Sequence, residues 1–282
     1  MVSRHFTGMV VTDLDGTLLH ENRRISRTDV DTLGMLGEKG IIRVIATGRS
    51  PYSARKVLED DFPVDYLVFS SGAGIIDWNQ KRLLDSYSLS AAEVKRAISL
   101  LLEMQSDFMV HEPIPDNHFF SYHRSGRKNP DFDRRVKLYR EFATEIDFRG
   151  HCFRAACQII AVEPSGRGNS AQKKVRRLLG GLNVIRTTSP LDKRSVWIEI
   201  FPKGVSKAHA SERIRQRYGI GSDRTLGVGN DYNDLELLFW AAKAFLVGAA
   251  PEELRSGFRS LGEKNGFSRA VSLWMEGEPG II

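Results

Sequence analysis

Two carboxylates one residue apart, Asp13 and Asp15, close the apolar run Met9-Val10-Val11, and a turn at Gly16-Thr17 follows them. Burying a DxD pair at the end of a strand is costly unless the charges have partners, so the pair marks a site rather than a surface accident. Three other groups stand in comparable places: Thr47 ends the run IIRVIAT, Lys207 follows Ser206 at a helix start, and the cluster Asn230, Asp231, Asn233 and Asp234 follows RTLGVG. If these strand and helix ends converge, one crevice holds carboxylates, a lysine and a hydroxyl. Hard oxygen ligands with few carboxylates and room for water suit Mg²⁺, which favours phosphate-bearing partners. Lys207 and the hydroxyl and N–H of Thr47 suit phosphoryl oxygens. With metal and lysine drawing electrons, one aspartate can attack phosphorus to form an aspartyl-phosphate while the other serves as acid and then base.

The elements that must position these groups have clear punctuation. Ser26 is an N-cap with Asp29 three residues on, Val30, Leu33, Met35 and Leu36 follow, and Gly40 lies past the helix end. Glu21 to Ile25 join this helix to the first strand. A third apolar strand, YLVFSSG, ends in Ser70-Ser71-Gly72-Ala73-Gly74, and Pro51 opens a helix after the second. Apolar strands that each finish in small or polar residues, alternating with helices, predict an α/β fold with a doubly wound, Rossmann-like parallel sheet. RTLGVG, LELLFWAA and AFLVG return to this pattern near the C-terminus, with a last helix opened by Pro251.

The middle of the chain reads differently. After a hairpin-like stretch from Ile76 to Tyr87 comes a helix from Ser90 to Glu103, then alternating segments DFMVHE, HFFSYH and CFRAACQIIAVE. Helix candidates at Asp131 to Thr144 and Ser170 to Leu179 lie between them, and NVIRTT and SVWIEIFP close the segment. This predicts an α+β insertion with an antiparallel sheet, spanning 87–194, within a core formed by 1–86 and 195–282.

Composition narrows the classes. The 282 residues are 41% hydrophobic and 27% charged, with a net charge of +6. The segment 87–194 carries 19 Lys and Arg against 12 Asp and Glu, or +7, leaving 22 against 23 elsewhere. That balance is either a solvated surface or an attraction for an anionic substrate. The scattered charge, with no RNA-binding aromatic motif or zinc spacing, argues against nucleic acid. No apolar run approaches the roughly 20 residues that span a bilayer, and Asp13 interrupts any leader-like core, so a cytoplasmic protein with no membrane partner is expected. Cys152 and Cys157 are too few for a disulfide framework and are expected as reduced thiols in one strand.

Four motifs in order carry a resemblance: DLDGT at 13 to 17, Thr47 in ATGR, Lys207 in GVSK, and GNDYND at 229 to 234. With the insertion between the second and third, the chain resembles the haloacid dehalogenase-like phosphohydrolases, specifically the Cof-type group with a large IIB cap. The resemblance implies Asp13 as nucleophile and Asp15 as acid/base. It implies phosphate contacts from Thr47, Gly48, Lys207 and Asn233, and Mg²⁺ on Asp13, the Asp15 carbonyl and the fourth motif through Asn230, Asp231 or Asp234. The function expected is a Mg²⁺-dependent phosphatase of a small phosphorylated metabolite, a sugar phosphate. The alternatives are a phosphomannomutase-like phosphotransferase and a non-catalytic phosphosugar-binding protein. Intact Asp13 and Asp15 argue against the last, since a binder needs no acid/base.

The chain departs from the family pattern twice. Ser71 stands where Asn often precedes Gly-Ala, and Asn230 stands where aspartate usually follows Gly229, so the metal-ligand place is shared between Asn230 and Asp231 as rivals. A calcium loop is excluded for DxDG because the third ligand and the preceding helix are missing. His111, His118 and His123 fit no metal-binding spacing, which favours substrate-loop or polar-surface roles. Arg49, Ser71, Asn117, His118 and Arg124 are the specificity candidates.

Overall fold

The computed structural model describes residues 6–20, 22–149 and 154–277. It divides into two compact units, Met1–Asp85 with Ser206–Ile282, and Ser86–Val205. In chain order the elements are β1 (Gly8–Thr12), α1 (Arg27–Glu38), β2 (Ile41–Ala46), α2 (Pro51–Ala54), β3 (Tyr66–Phe69), β4 (Gly74–Asp77) and β5 (Arg82–Ser86). There follow α3 (Ala91–Glu103), β6 (Asp107–His111), β7 (Phe120–His123), α4 (Pro130–Leu138), β8 (Ala143–Glu145), β9 (Gln158–Glu163), α5 (Ser165–Leu178), β10 (Asn183–Thr188) and β11 (Val196–Phe201). The chain closes with α6 (Lys207–Arg217), β12 (Thr225–Gly229), α7 (Leu235–Trp240), β13 (Lys243–Leu246), α8 (Glu252–Arg255) and α9 (Gly266–Met275).

The first unit is built on a seven-stranded sheet of order β13-β12-β1-β2-β3-β4-β5. The five strands β13 to β3 are parallel, and β4 turns back antiparallel on β3. Apolar runs without alternation are what a sheet covered on both faces requires. Met9, Val11, Val44 and Val68 pack with Ala210, Ile214 and Leu237 of α6 and α7. On the other face α1 and α9 pack together, and Trp274 of α9 lies against Gly8. The α1 cap is as the sequence implies: Ser26 accepts the N–H of Asp29, and Leu33 and Leu36 are buried. α9 has no counterpart among the sequence expectations. Its cap, Asn265, is left-handed and makes no side-chain capping bond, so the usual start signal is absent.

The second unit carries a six-stranded sheet of order β10-β11-β9-β6-β7-β8. It is antiparallel except for β7 and β8, which run parallel. Val94, Ala97 and Leu101 of α3, with Ala171 and Val175 of α5, cover Phe108, Val110, Ile159 and Ile198. Phe132 and Val136 of α4 cover Met109, Ile160 and Trp197 on the opposite face. Four expectations are corrected here. The unit ends after Val205 rather than Arg194, because β11 pairs with both β9 and β10 and completes their sheet. α4 stops at Leu138 rather than Thr144, since Ala143–Glu145 are drawn into pairing with β7. α5 starts at Ser165, directly after Pro164, rather than at Ser170. β9 starts only at Gln158; Cys157 is buried just before it, and Cys152 lies outside the described residues. Among the described residues no helix is long and apolar enough to cross a membrane.

His111 illustrates how burial is exploited in this unit. Its ring is 2% exposed, and its Nδ1 lies 2.9 Å from the carbonyl oxygen of Asn117. Burial, with the charge of Arg135 adding to it, pulls its pKa down to about 3. A histidine held neutral when folded but able to take a proton when unfolded contributes stability above the unfolded pKa, lost as pH falls toward the folded one. Between about pH 7 and pH 4 that loss is about 3 kcal/mol. The melting temperature of His111→Gln should therefore fall less over this interval than that of the wild type; parallel curves would refute the assignment.

Candidate active site

Asp13 and Thr47 each stand one residue past a parallel strand, and the sheet ladder continues into them. The N–H of Asp13 donates to the carbonyl of Val228 at 2.8 Å, and that of Thr47 to Val68 at 2.8 Å. Their side chains thus start from backbone that the sheet holds in place, at the carboxyl edge of β1 and β2. Lys207 arrives from the first turn of α6, which Ser206 caps by accepting the N–H of His209 at 3.2 Å. Close approach of α6 depends on Gly72, whose φ is +106° and whose Cβ, if present, would lie 2.2 Å from the carbonyl oxygen of Ser206. A side chain there would push the start of α6 away.

The result is a buried chain of charge. Lys207 is 1% exposed, and its Nζ donates to Asp13 Oδ1 at 2.5 Å and to Asp234 Oδ1 at 2.7 Å. Asp234 Oδ2 in turn accepts the backbone N–H groups of Asn230 at 2.8 Å and Asp231 at 3.1 Å. Burial raises the pKa of Asp13 to about 7; Lys207 opposes this, while Asp234 and Asp15 add to it. Burial works against the ammonium of Lys207, but Asp13 and Asp234 overcome it and hold its pKa above the usual value. One cation between two buried carboxylates leaves the cluster short of positive charge.

Asp234, expected as a metal ligand, accepts from Lys207 on one oxygen and from the loop that carries Asn230 on the other. Asp231 stands at the N-cap of the short 3-10 turn Tyr232–Asp234, in a reciprocal capping arrangement with Asp234. Asn230 is turned to Gly16, where a Cβ would come within 2.2 Å of its amide nitrogen; Gly16 has a φ of +81°. Asn233 is half-buried in the same 3-10 turn, and Gly48 is half-buried beside Thr47.

Asp15 meets Arg49. Arg49 Nε and Nη2 donate to the two carboxylate oxygens at 2.7 and 2.6 Å, a two-pronged pair. The N–H of Arg49 donates to Thr47 Oγ1 at 3.1 Å, which leaves the threonine hydroxyl hydrogen to point elsewhere. Ser71, fully buried with a φ of +52°, donates its N–H to the carbonyl of Thr47 at 3.0 Å. It shapes the Thr47 loop through its backbone.

The remaining specificity candidates belong to the second unit. Asn117 is 1% exposed; its carbonyl oxygen meets His111 and its Nδ2 lies 3.6 Å from Cys157 Sγ, so it fastens its own loop. The ring of His118 lies 4.4 Å from that of Phe119 and 5.0 Å from that of Phe142. Arg124 is ion-paired with Asp133 and lies over the ring of Tyr122 at 5.4 Å.

No group of three or more His, Cys, Asp or Glu side chains among the described residues is arranged as a metal cage. A magnesium ion does not need one, since it keeps several waters and shares a substrate phosphate. A carboxylate oxygen of Asp13, the side-chain oxygen of Asn230 and the Asp15 carbonyl are hard donors of that kind. The excess negative charge around Lys207 fits a cation as well.

Parallel strands with polar groups at their carboxyl edge, in a chain interrupted by an α+β insertion, define an α/β fold with a candidate site at its strand ends. Residues 10–265 match the family model of the haloacid dehalogenase-like hydrolases, and the chain belongs to that family. It is 22% identical over 277 residues to the 5-amino-6-(5-phospho-D-ribitylamino)uracil phosphatase YitU of Bacillus subtilis, covering 93% of this chain and 95% of that one. The HAD phosphatase BT1666 of Bacteroides thetaiotaomicron shares its fold, with a TM-score of 0.75 at 21% identity, over 98% of this chain and 97% of that one. So does the HAD subclass IIB sugar phosphatase BT4131, with a TM-score of 0.75 at 19% identity, over 96% and 99%.

Proposed function

We propose that this hydrolase is a Mg²⁺-dependent phosphatase of a small phosphorylated metabolite, a sugar or sugar-alcohol phosphate, working through an aspartyl-phosphate. The observation that carries this reading is the buried Lys207 bridging Asp13 and Asp234 beside Thr47. A lysine there keeps Asp13 oriented, with one oxygen held and the other available, and offers charge to phosphoryl oxygens. The relatives support the substrate class, since YitU is named for a phosphoribityl compound and BT4131 as a sugar phosphatase.

In this reading Asp13 Oδ2 attacks phosphorus and the ester P–O bond breaks. Asp15 gives its proton to the departing alcohol oxygen, then takes one from the water that attacks the aspartyl-phosphate. The P–O bond to Asp13 breaks, free phosphate leaves, and Asp13 is restored. Thr47 and Lys207 bind phosphoryl oxygens throughout. Asp13, Asn230 and the Asp15 carbonyl would hold Mg²⁺, which would supply charge neutralisation for the carboxylate and phosphate.

A panel of sugar, polyol and nucleoside phosphates, assayed for released phosphate with Mg²⁺ and with EDTA, tests the reading. Metal-dependent release from a subset of sugar or polyol phosphates is expected; no release from any ester, or release untouched by EDTA, would overturn it. The Asn230 assignment has its own check. Adding a negative charge with Asn230→Asp should lower the half-saturating Mg²⁺ concentration by about tenfold, because ligand charge tunes affinity. An unchanged Mg²⁺ titration in both Asn230→Asp and Asn230→Ala would move the ligand role to Asp231.

A further inference from the structure

Resting on that phosphatase reading, we propose that Arg49 is the positioning residue for Asp15, fixing the carboxylate that handles the proton of the leaving alcohol.

The pair differs from an ordinary surface ion pair. The Arg49 side chain is 19% exposed against 44% for Asp15. All three guanidinium nitrogens are committed: Nε and Nη2 to Asp15 at 2.7 and 2.6 Å, and Nη1 to the carbonyl of Ser53 at 3.1 Å and its hydroxyl at 3.3 Å. The Arg49 backbone is held too, its N–H by Thr47 Oγ1 at 3.1 Å and its carbonyl by the N–H of Ser70 at 2.8 Å. The guanidinium is thus a rigid bracket anchored in the loop that carries Thr47, reaching across to hold Asp15. A half-exposed carboxylate after a strand has free rotation about two side-chain bonds, and the planar fork removes it in a way a point charge cannot. The same bracket ties the position of Asp15 to that of Thr47, which keeps the proton-handling oxygen in fixed relation to the phosphate site.

The inference separates from a structural role by leaving-group dependence. General acid help matters for an alkyl alcohol and little for p-nitrophenolate, which departs without a proton. Arg49→Lys and Arg49→Met should lower kcat on an alkyl sugar phosphate by about 100-fold, with KM within about threefold of wild type. Formation of the phosphoenzyme from p-nitrophenyl phosphate, followed as the first-turnover burst, should fall by less than about fivefold. Inhibition by inorganic phosphate, which reads the assembled phosphate site, should persist in both variants. The lysine should not rescue, since it keeps the charge but loses the fork.

Equal losses on the two esters, a change confined to KM, or full activity of Arg49→Lys would each overturn the proposal while leaving the phosphatase reading intact. Loss of phosphate inhibition in both variants would also overturn it, by showing that Arg49 builds the phosphate site itself. A wild type that releases phosphate from neither ester would instead overturn the phosphatase reading, and the role of Arg49 with it.

Discussion

Asp13→Asn should lose phosphatase activity by on the order of 10⁴-fold or more while keeping its fold, because an amide cannot form the acyl-phosphate. The fold should survive since Lys207 retains Asp234 as a charged partner at 2.7 Å. The backbone N–H of Asp13 stays in the sheet ladder whatever the side chain. Circular dichroism and thermal melting check the fold, and a phosphate-release assay checks the chemistry. Activity within tenfold of wild type would refute the nucleophile assignment. With the wild-type protein, acid quenching during turnover of a labelled ester should trap phosphate on the chain, and the Asn variant should trap none.

Lys207→Met should produce the largest loss of stability among the site variants. Methionine roughly fills the aliphatic volume of lysine, so packing is nearly conserved and the electrostatic consequence dominates. Asp13 and Asp234 are 5% and 0% exposed, and without the ammonium both are buried carboxylates lacking their counter-ion. Removing one partner of a buried ionic network costs about 3 to 5 kcal/mol. The loop at 230–231 should loosen as well, since Asp234 is the acceptor for both its N–H groups. Urea unfolding measures the loss, and adding Asp13→Asn to Lys207→Met should return part of it by removing one unpaired charge. A loss below about 1 kcal/mol would mean that the buried ion pair contributes little net stability. Phosphate release should fall with it, and weaker inhibition by inorganic phosphate would tie part of that fall to phosphoryl binding.

Much of the fold was legible because its signals are local. β1, β2, β3, β12 and β13 are short apolar runs that end in polar or glycine residues, and α1 and α3 open on Ser26 and Ser90 with an acid three residues on. The errors arose where a partner far along the chain overrides local preference. The residues after Leu138 read as helix until β7 offers them a strand to pair with, and the boundary at 194 leaves β11 outside the insertion it closes until β9 and β10 claim it. α9 carries no such local mark, because its apolar face, including Phe267 and Val271, follows no capping signal.

At the site the same division holds. Residue types and spacing along the chain determined that two carboxylates, a hydroxyl, a lysine and an amide-acid cluster belong to strand and helix ends, since each such end is marked within a few residues of itself. Only the tertiary structure decided how they share their hydrogen bonds. Asp13 and Lys207 are 194 residues apart, Lys207 and Asp234 27, and Asp15 and Arg49 34. No local pattern states that Asp234 accepts from a lysine on one oxygen and from a loop on the other. Nor does one state that Arg49 grips Asp15. A hydrogen bond is settled by distances of a few tenths of an ångström between side chains, and those distances exist only once the sheet has set β1 between β2 and β12 and Gly72 has let α6 approach.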